Sequence, residues 1–231
     1  MAVNTERHDG DAGGNRAERK AQSRRRILDS ARDVFFRDGF MAANLDEVAE
    51  RAGVAKGTLY RYFESKADLY VAVLADNGNA FTDRMKECVS EGASPIEQLE
   101  RISDFYYDYW TRHPELFQIF WAIDNQPVIG DLPESVVNEV ARLWEASLRV
   151  LEGVIVRAVE RGDFVECDTW EVAHILWTTA TALIQSEATS TRRSLRRAPL
   201  ERVFKDAIHL IVKGLSKGDG MRDAPSEPTS A

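Results

Sequence analysis

The sequence predicts an all-α protein, with a small N-terminal domain followed by a larger helical one. Apolar residues recur at helical spacing along almost the whole chain. No segment shows the two-residue alternation of a strand, and no internal repeat interrupts the pattern. Helix start and stop signals punctuate the chain at intervals that suit short and medium helices. With 231 residues, 44% of them hydrophobic, the chain can build one sizeable core or two domains.

The elements follow in order. The two ends (Gly, Asp, Asn and Ala first; Gly, Asp, Pro, Ser and Thr last) lack periodicity and are expected to be disordered. A basic and polar tail over residues 1–20 leads to a first domain over 21–67. A larger helical domain over 68–217 precedes a second tail, 218–231. Ile27, Leu28, Ala31, Val34 and Phe35 make the stripe of an amphipathic helix that ends before Gly39. Asn44 followed by Glu47 starts a second, the amide capping free N–H groups while Glu47 reaches back. Gly53 stops it, and Ser65 with Asp68 caps the helix after next. Ser94-Pro95-Ile96-Glu97 places a cap, a first-turn proline and a box glutamate in sequence. Leu99, Ile102, Tyr106, Tyr109 and Trp110 then share one face until His113-Pro114, with His113 as the helix end. A short aromatic helix covers 115–123. Pro133 opens a long one on Val137, Val140, Trp144, Leu148, Leu151, Ile155 and Val159, closed by Gly162. Asp168 and Glu171 cap another through about Ala188, and Pro199 begins the last, to about Lys217.

Charge is unevenly spread. The whole chain carries −8, residues 1–66 net +2 and the remainder net −10. The run "RAERKAQSRRR", Arg16 to Arg26, concentrates the positive charge. Such asymmetry fits a polyanion-binding end on an acidic body, or a solvated basic tail. No apolar run approaches the roughly 18 residues of a membrane span, and the N-terminus lacks a signal peptide's apolar core, so a cytoplasmic protein is expected. Cys88 and Cys167 stand alone, without disulfide or zinc spacing, and are expected to be buried as small hydrophobes. P-loop, G-x-S-x-G and H-E-x-x-H patterns are absent, and His8, His113, His174 and His209 have no metal spacing. No enzyme, cofactor or metal site is expected.

One stretch carries a specific signal. In "GVAKGTLYRYFESK", Gly53 to Lys66, a glycine turn joins two short helices, the helix-turn-helix arrangement. Gly53 can take the left-handed turn conformation, while Gly57 gives clearance at the second helix's start. Val54 and Leu59 would pin that helix to the core, leaving Tyr60, Arg61 and Lys66 to offer donors to phosphates and base edges. The alternative puts Tyr60, Tyr62 and Phe63 in the core and leaves the charges to solvent.

From Arg26 to Leu74 the chain resembles the DNA-binding domain of TetR/AcrR-type transcriptional regulators. The likeness runs through Phe35-x-x-x-Gly39, Asn44-Leu45-x-x-Val48-Ala49-x-x-Ala52-Gly53-Val54 and Gly57-Thr58-Leu59-Tyr60-x-Tyr62-Phe63-x-Ser65-Lys66. It implies a recognition helix over 56–62. Thr58, Tyr60 and Lys66 then fall at phosphate-contacting positions. Lys56, Gly57 and Arg61 face the groove floor, and Tyr62 meets the backbone or a base. Arg24 and Arg25, with Arg26, add contacts at the groove edge. Asn44 stands where members commonly carry Thr, so its contact becomes an amide one.

The resemblance further implies a double-stranded DNA operator, a homodimer built on the last two helices, and a small-molecule effector. Independently, the helices 169–188 and 199–217 are apolar around more of their circumference than one packing face needs. Thr181, Ile184, Phe204, Ile208 and Ile211 are the expected interface residues. Tyr106, Trp110, Phe120, Trp144 and Trp177 belong to an unusually aromatic set that could line a pocket. His174, Thr178, Thr181 and Gln185 make a polar edge along one helix, either for a ligand or for pairing across the dimer. The expected function is a repressor released from a pseudo-palindromic operator by a small apolar or aromatic effector. The alternative is an effector-less DNA-binding protein whose C-terminal domain binds another protein.

Overall fold

The computed structural model describes residues 11–90, 92–121 and 132–217. Those residues form α1 (Asp11–Ala42), α2 (Leu45–Arg51), α3 (Lys56–Tyr62), α4 (Lys66–Glu87) and α5 (Pro95–Arg112). They continue as α6 (Pro114–Phe120), α7 (Glu134–Glu160), α8 (Thr169–Gln185), α9 (Ser190–Leu195) and α10 (Leu200–Leu215). A single 3-10 turn, Ser186–Ala188, extends α8. No strand forms among the described residues; the one extended pairing is an isolated bridge between Phe164 and Ser216. The protein is all-α. No described helix is long and apolar enough to cross a membrane.

Local chemistry accounts for most helix ends. Ser94 Oγ accepts from the Glu97 N–H at 3.2 Å while Glu97 Oε2 accepts from the Ser94 N–H at 2.7 Å, a complete capping box. Asp168 caps α8 through the Glu171 N–H at 3.1 Å, and Ser65 Oγ accepts from the Asp68 N–H at 3.0 Å. His113 ends α5. Asn44 caps α2 as expected, its Oδ1 accepting from the Asp46 N–H at 2.8 Å. Glu47 does not reach back, however. Arg37, at the end of α1, offers it a charged donor 2.8 Å away instead.

Two boundaries and the burial of the cysteines differ from the sequence-based expectation. Helix α1 begins at Asp11, so residues 11–20 are helical rather than part of a disordered tail. Ala, Glu, Arg, Lys and Gln dominate after Gly14, and these are strong helix formers. Cys88 and Cys167 are free and only half-buried. Contacts also divide the chain inside α4: residues up to Asn77 group with Glu115–Val140, and Gly78–Pro114 with the chain from Ala141 onward. The expected boundary at 67/68 falls ten residues earlier, where α4 starts. The expected tail 218–231, the first ten residues and the end of the 115–123 helix lie outside the described residues.

In the first unit, Ile27, Ala31, Val34 and Phe35 of α1 are fully buried with Val48 of α2, Leu59 of α3 and Leu69 of α4. Phe35 meets Tyr70 edge-on, ring centroids 4.7 Å apart. In the second unit, α4 and α7 approach closely at Gly78, where a Cβ would lie 2.7 Å from Leu143 Cδ1. One turn on, the Thr82 and Ser147 hydroxyls share a hydrogen bond of 3.1 Å. Phe81 packs on Tyr109 and Trp110 at 4.9 and 5.0 Å.

Candidate nucleic-acid interface

The turn between α2 and α3 depends on Gly53, whose φ of +65° lies in the left-handed region. Its N–H donates to the Glu50 carbonyl and the Val54 N–H to that of Ala49, both at 3.0 Å. Helix α3 then sinks one residue, Leu59, into the core. Lys56, Gly57, Tyr60 and Arg61 remain exposed, Tyr60 at 43%. Of the three aromatics, only Phe63 is core; Tyr62 is half-buried. The helix has no acidic residue, so its outer face presents cations and hydroxyls to whatever approaches.

The side chains expected to act here divide into uncommitted and engaged. Arg61 has no partner among the described residues. A Cβ on Gly57 would meet nothing within 4 Å, so the fold itself does not require glycine there. Thr58 is half-buried. Lys56 pairs with Asp46 at 2.6 Å, which raises its pKa, but both groups are more than half exposed, and such pairs are weak. Arg24 lies over the Phe63 ring at 5.5 Å.

Arg25, expected to add a contact at the groove edge, is engaged within the protein. It holds Asp29 and Asp76, each at 3.1 Å, and these bonds raise its pKa, that to Asp29 first. It ties α1 to α4. Lys66 is half-buried: its ammonium donates to the Met41 carbonyl at 2.9 Å and lies over the Phe40 ring at 5.3 Å. Burial lowers its pKa. Lys66 clasps the end of α1 to the start of α4, with two N–H donors left over. Tyr62 donates its hydroxyl to the Lys20 carbonyl at 3.3 Å. Arg19, Lys20 and Ser23 thereby line a cleft with Arg61 and Tyr62. Assigning residues 1–20 to a tail missed them, although their i, i+1, i+4 spacing is a helical face.

The second unit separates the expected pocket residues. Tyr106 and Trp110 are buried in packed core, and the Tyr106 hydroxyl bonds that of Thr181 at 2.7 Å. Burial pushes the Tyr106 pKa up. Phe120 belongs to the first unit. Trp144 and Trp177 pair at 5.4 Å, half-buried, with His174 6.1 Å from Trp177 and Thr178 within 3.5 Å of the His174 ring. Gln185 is half-buried near the end of α8. The cavity between these helices holds about 40 Å³ and is lined chiefly by apolar groups, among them Ile102, Leu176, Phe204 and Ile208. Of the aromatic set, Tyr106, Trp110 and Phe120 are buried core, while Trp144 and Trp177 are half-buried.

Thr181, Ile184 and Phe204 are at most 7% exposed within the single chain. They have little exposed surface in the single chain. Ile208 and Ile211 are half-buried. The large apolar groups that do face outward on α8 and α10 are Ile175, 50% exposed, and Leu210, 68%. Among the described residues no group of His, Cys, Asp and Glu could hold a metal ion.

Residues 27–73 match the family described as bacterial regulatory proteins, tetR family. The HTH-type transcriptional repressor KstR of Mycobacterium tuberculosis is 29% identical over 160 residues, 69% of this chain and 68% of that protein. The fatty acid metabolism regulator protein of Bacillus subtilis is 24% identical over 140 residues, 61% of this chain and 70% of that one. The crystal structure of the transcriptional regulator FadR from Bacillus subtilis, in complex with stearoyl-CoA, superposes with a TM-score of 0.67 at 20% identity. The superposition covers 82% of this chain and 98% of that one, a likeness of fold.

Proposed function

We propose that the chain, whose residues 27–73 match the tetR family of bacterial regulatory proteins, is a transcriptional regulator of that family and acts as a homodimeric repressor on a pseudo-palindromic operator. The observation that carries this reading is the outer face of α3. A helix held by the single buried Leu59 exposes Lys56, Gly57, Tyr60 and Arg61 with no carboxylate among them. A recognition helix needs this arrangement to enter a major groove. Arg61 is the candidate base reader and Tyr60 the candidate phosphate ligand.

Dimerisation through α8 and α10 is supported by Ile175 and Leu210. On α10 the apolar stripe Val203, Ala207, Leu210, Ile211 and Gly214 follows one helical face and is only partly covered. Two heads related by a twofold axis select half-sites about 34–36 Å apart or a multiple of it. Sequencing the genomic DNA retained by the purified full chain tests the reading. An enriched inverted repeat is the expected result; retained fragments with no common motif would overturn it.

For the effector, the lining of the cavity supports an apolar group, as does the complex of the Bacillus subtilis FadR with stearoyl-CoA. At about 40 Å³ the cavity is far below the roughly 300–1,000 Å³ of ligand sites, so an effector must part the helices to enter. It releases DNA only by binding that parted state more tightly. The same small volume favours the second reading, a DNA-binding protein without effector. Tryptophan fluorescence during titration with acyl thioesters distinguishes the two, since Trp177 lines the cavity beside Trp144.

A further inference from the structure

The apolar cavity of the second unit has a polar groove beside it. About 430 Å³ of space lies between α5 and α10, lined by Glu100, Asp104, Lys205, Asp206 and His209. Ser103, Ile208 and Val212 line both this groove and the cavity, so the two share a wall. The groove has the volume of a ligand site and the cavity has the apolar lining of one. The helices around the cavity are not held equally. A buried hydrogen bond of 2.7 Å, Tyr106 to Thr181, pins α5 to α8, and Gln98 pins α5 to α7 by accepting from Arg157 at 2.9 Å. Thr82 and Ser147 pin α4 to α7. Between α5 and α10, Tyr107 packs on Phe204 and Lys205 reaches Asp104 at 3.7 Å, with both charged side chains more than half exposed. Exposed ion pairs contribute little, so the seam under the groove parts at lower cost than the pinned ones.

Charge then sets what can lie in the groove. Three carboxylates and one ammonium line it. The further partners of these groups, Glu201 for Lys205 and Arg202 for Asp206, offset each other. A cationic group is attracted there and an anionic one repelled. We propose that the effector is a cationic amphiphile that enters between α5 and α10. Its apolar tail parts the two helices to reach the cavity, and its head rests among Glu100, Asp104 and Asp206. The proposal rests on the effector reading above and names the class of that effector; a polyanionic head fits this groove poorly.

The test titrates the full chain, by calorimetry and tryptophan fluorescence, with three octanoyl thioesters that differ in the head alone. The heads are thiocholine, a cation; N-acetylcysteamine, uncharged; and mercaptopropionate, an anion. At low salt the cationic thioester binds about tenfold tighter than the anionic one, with the uncharged one between, and added salt shrinks the ratio. Glu100→Gln/Asp206→Asn leaves one carboxylate against Lys205 and brings the three affinities together. Asp83→Asn/Glu87→Gln removes the same charge from the exposed face of α4 and leaves the ratio as in wild type. Ser103→Leu thickens the shared wall and weakens all three by about fivefold or more without changing their order. An anionic thioester that binds as tightly as the cationic one would overturn the proposal. So would a ratio that survives in Glu100→Gln/Asp206→Asn, and wild-type affinities in Ser103→Leu would overturn the route. A chain that retains genomic DNA yet binds none of the three would remove the effector reading itself, a result distinct from the others.

Discussion

Gly57→Ala is expected to move stability and DNA binding in opposite directions. The residue is the second of α3, its φ is not in the left-handed region, and a Cβ there would meet no protein atom within 4 Å. Alanine therefore adds no clash and no backbone strain, while removing the conformational freedom that glycine loses on folding. The gain is about 0.5–1 kcal/mol, less if the helix end is frayed. In a chain of this size that is a rise of about 1–4 °C in Tm. On DNA the added methyl stands on the face that must approach a groove. Overpacking a close contact costs about 1–3 kcal/mol, equivalent to about five- to 150-fold in Kd. Thermal melts followed by circular dichroism give the first quantity, and fluorescence anisotropy on a retained genomic fragment the second. A variant that melts lower than wild type would refute the open space at Gly57. One that melts higher yet binds DNA unchanged would refute clearance for DNA as the reason glycine stands there.

Three other perturbations test the remaining structure. Thr181→Val strands the buried Tyr106 hydroxyl and should cost about 1–3 kcal/mol in chemical denaturation, most of it recovered when Tyr106→Phe is added; additive losses would mean that the two hydroxyls are not coupled. Tyr106→Phe alone should cost less, since Thr181 can turn its hydroxyl to the carbonyl one turn back in α8. Leu210→Glu should give monomers that lose operator binding, and a dimer persisting in sedimentation would move the interface off α10. The Glu97 carboxyl is held below its ordinary value of 4.5, first by the Ser94 N–H and then by its hydroxyl. A lowered carboxylate pKa contributes stability above the ordinary value, and that stability is lost as pH falls through the lowered one. Melts run downward from pH 4.5 should therefore show wild type losing more stability than Glu97→Gln; parallel curves would show that the box is not what acid breaks.

What the sequence by itself determined is what one or two turns of chain can settle. The helices, their caps at Asn44, Ser94 and Asp168, the turn at Gly53 and the buried stripe of α1 follow from side chains acting on their immediate neighbours. The outward face of α3 follows too, because only Leu59 among its residues was needed by the core. Tertiary structure decided the rest, wherever a residue had two compatible partners. Glu47 suited a capping box, but Arg37 outbid the backbone with a charged donor. The internal partners of Arg25 and Lys66 were not legible in sequence: α4 brings Asp76 to one and the end of α1 brings the Met41 carbonyl to the other. Residues 11–20 read as tail because they carry no apolar stripe, although the helix formers after Gly14 favour the helix that forms there. The apolar faces of α8 and α10 were visible in sequence, but periodicity counts apolar positions without saying which neighbour covers them. Packing buried Thr181, Ile184 and Phe204 within the chain and left Ile175 and Leu210 outside.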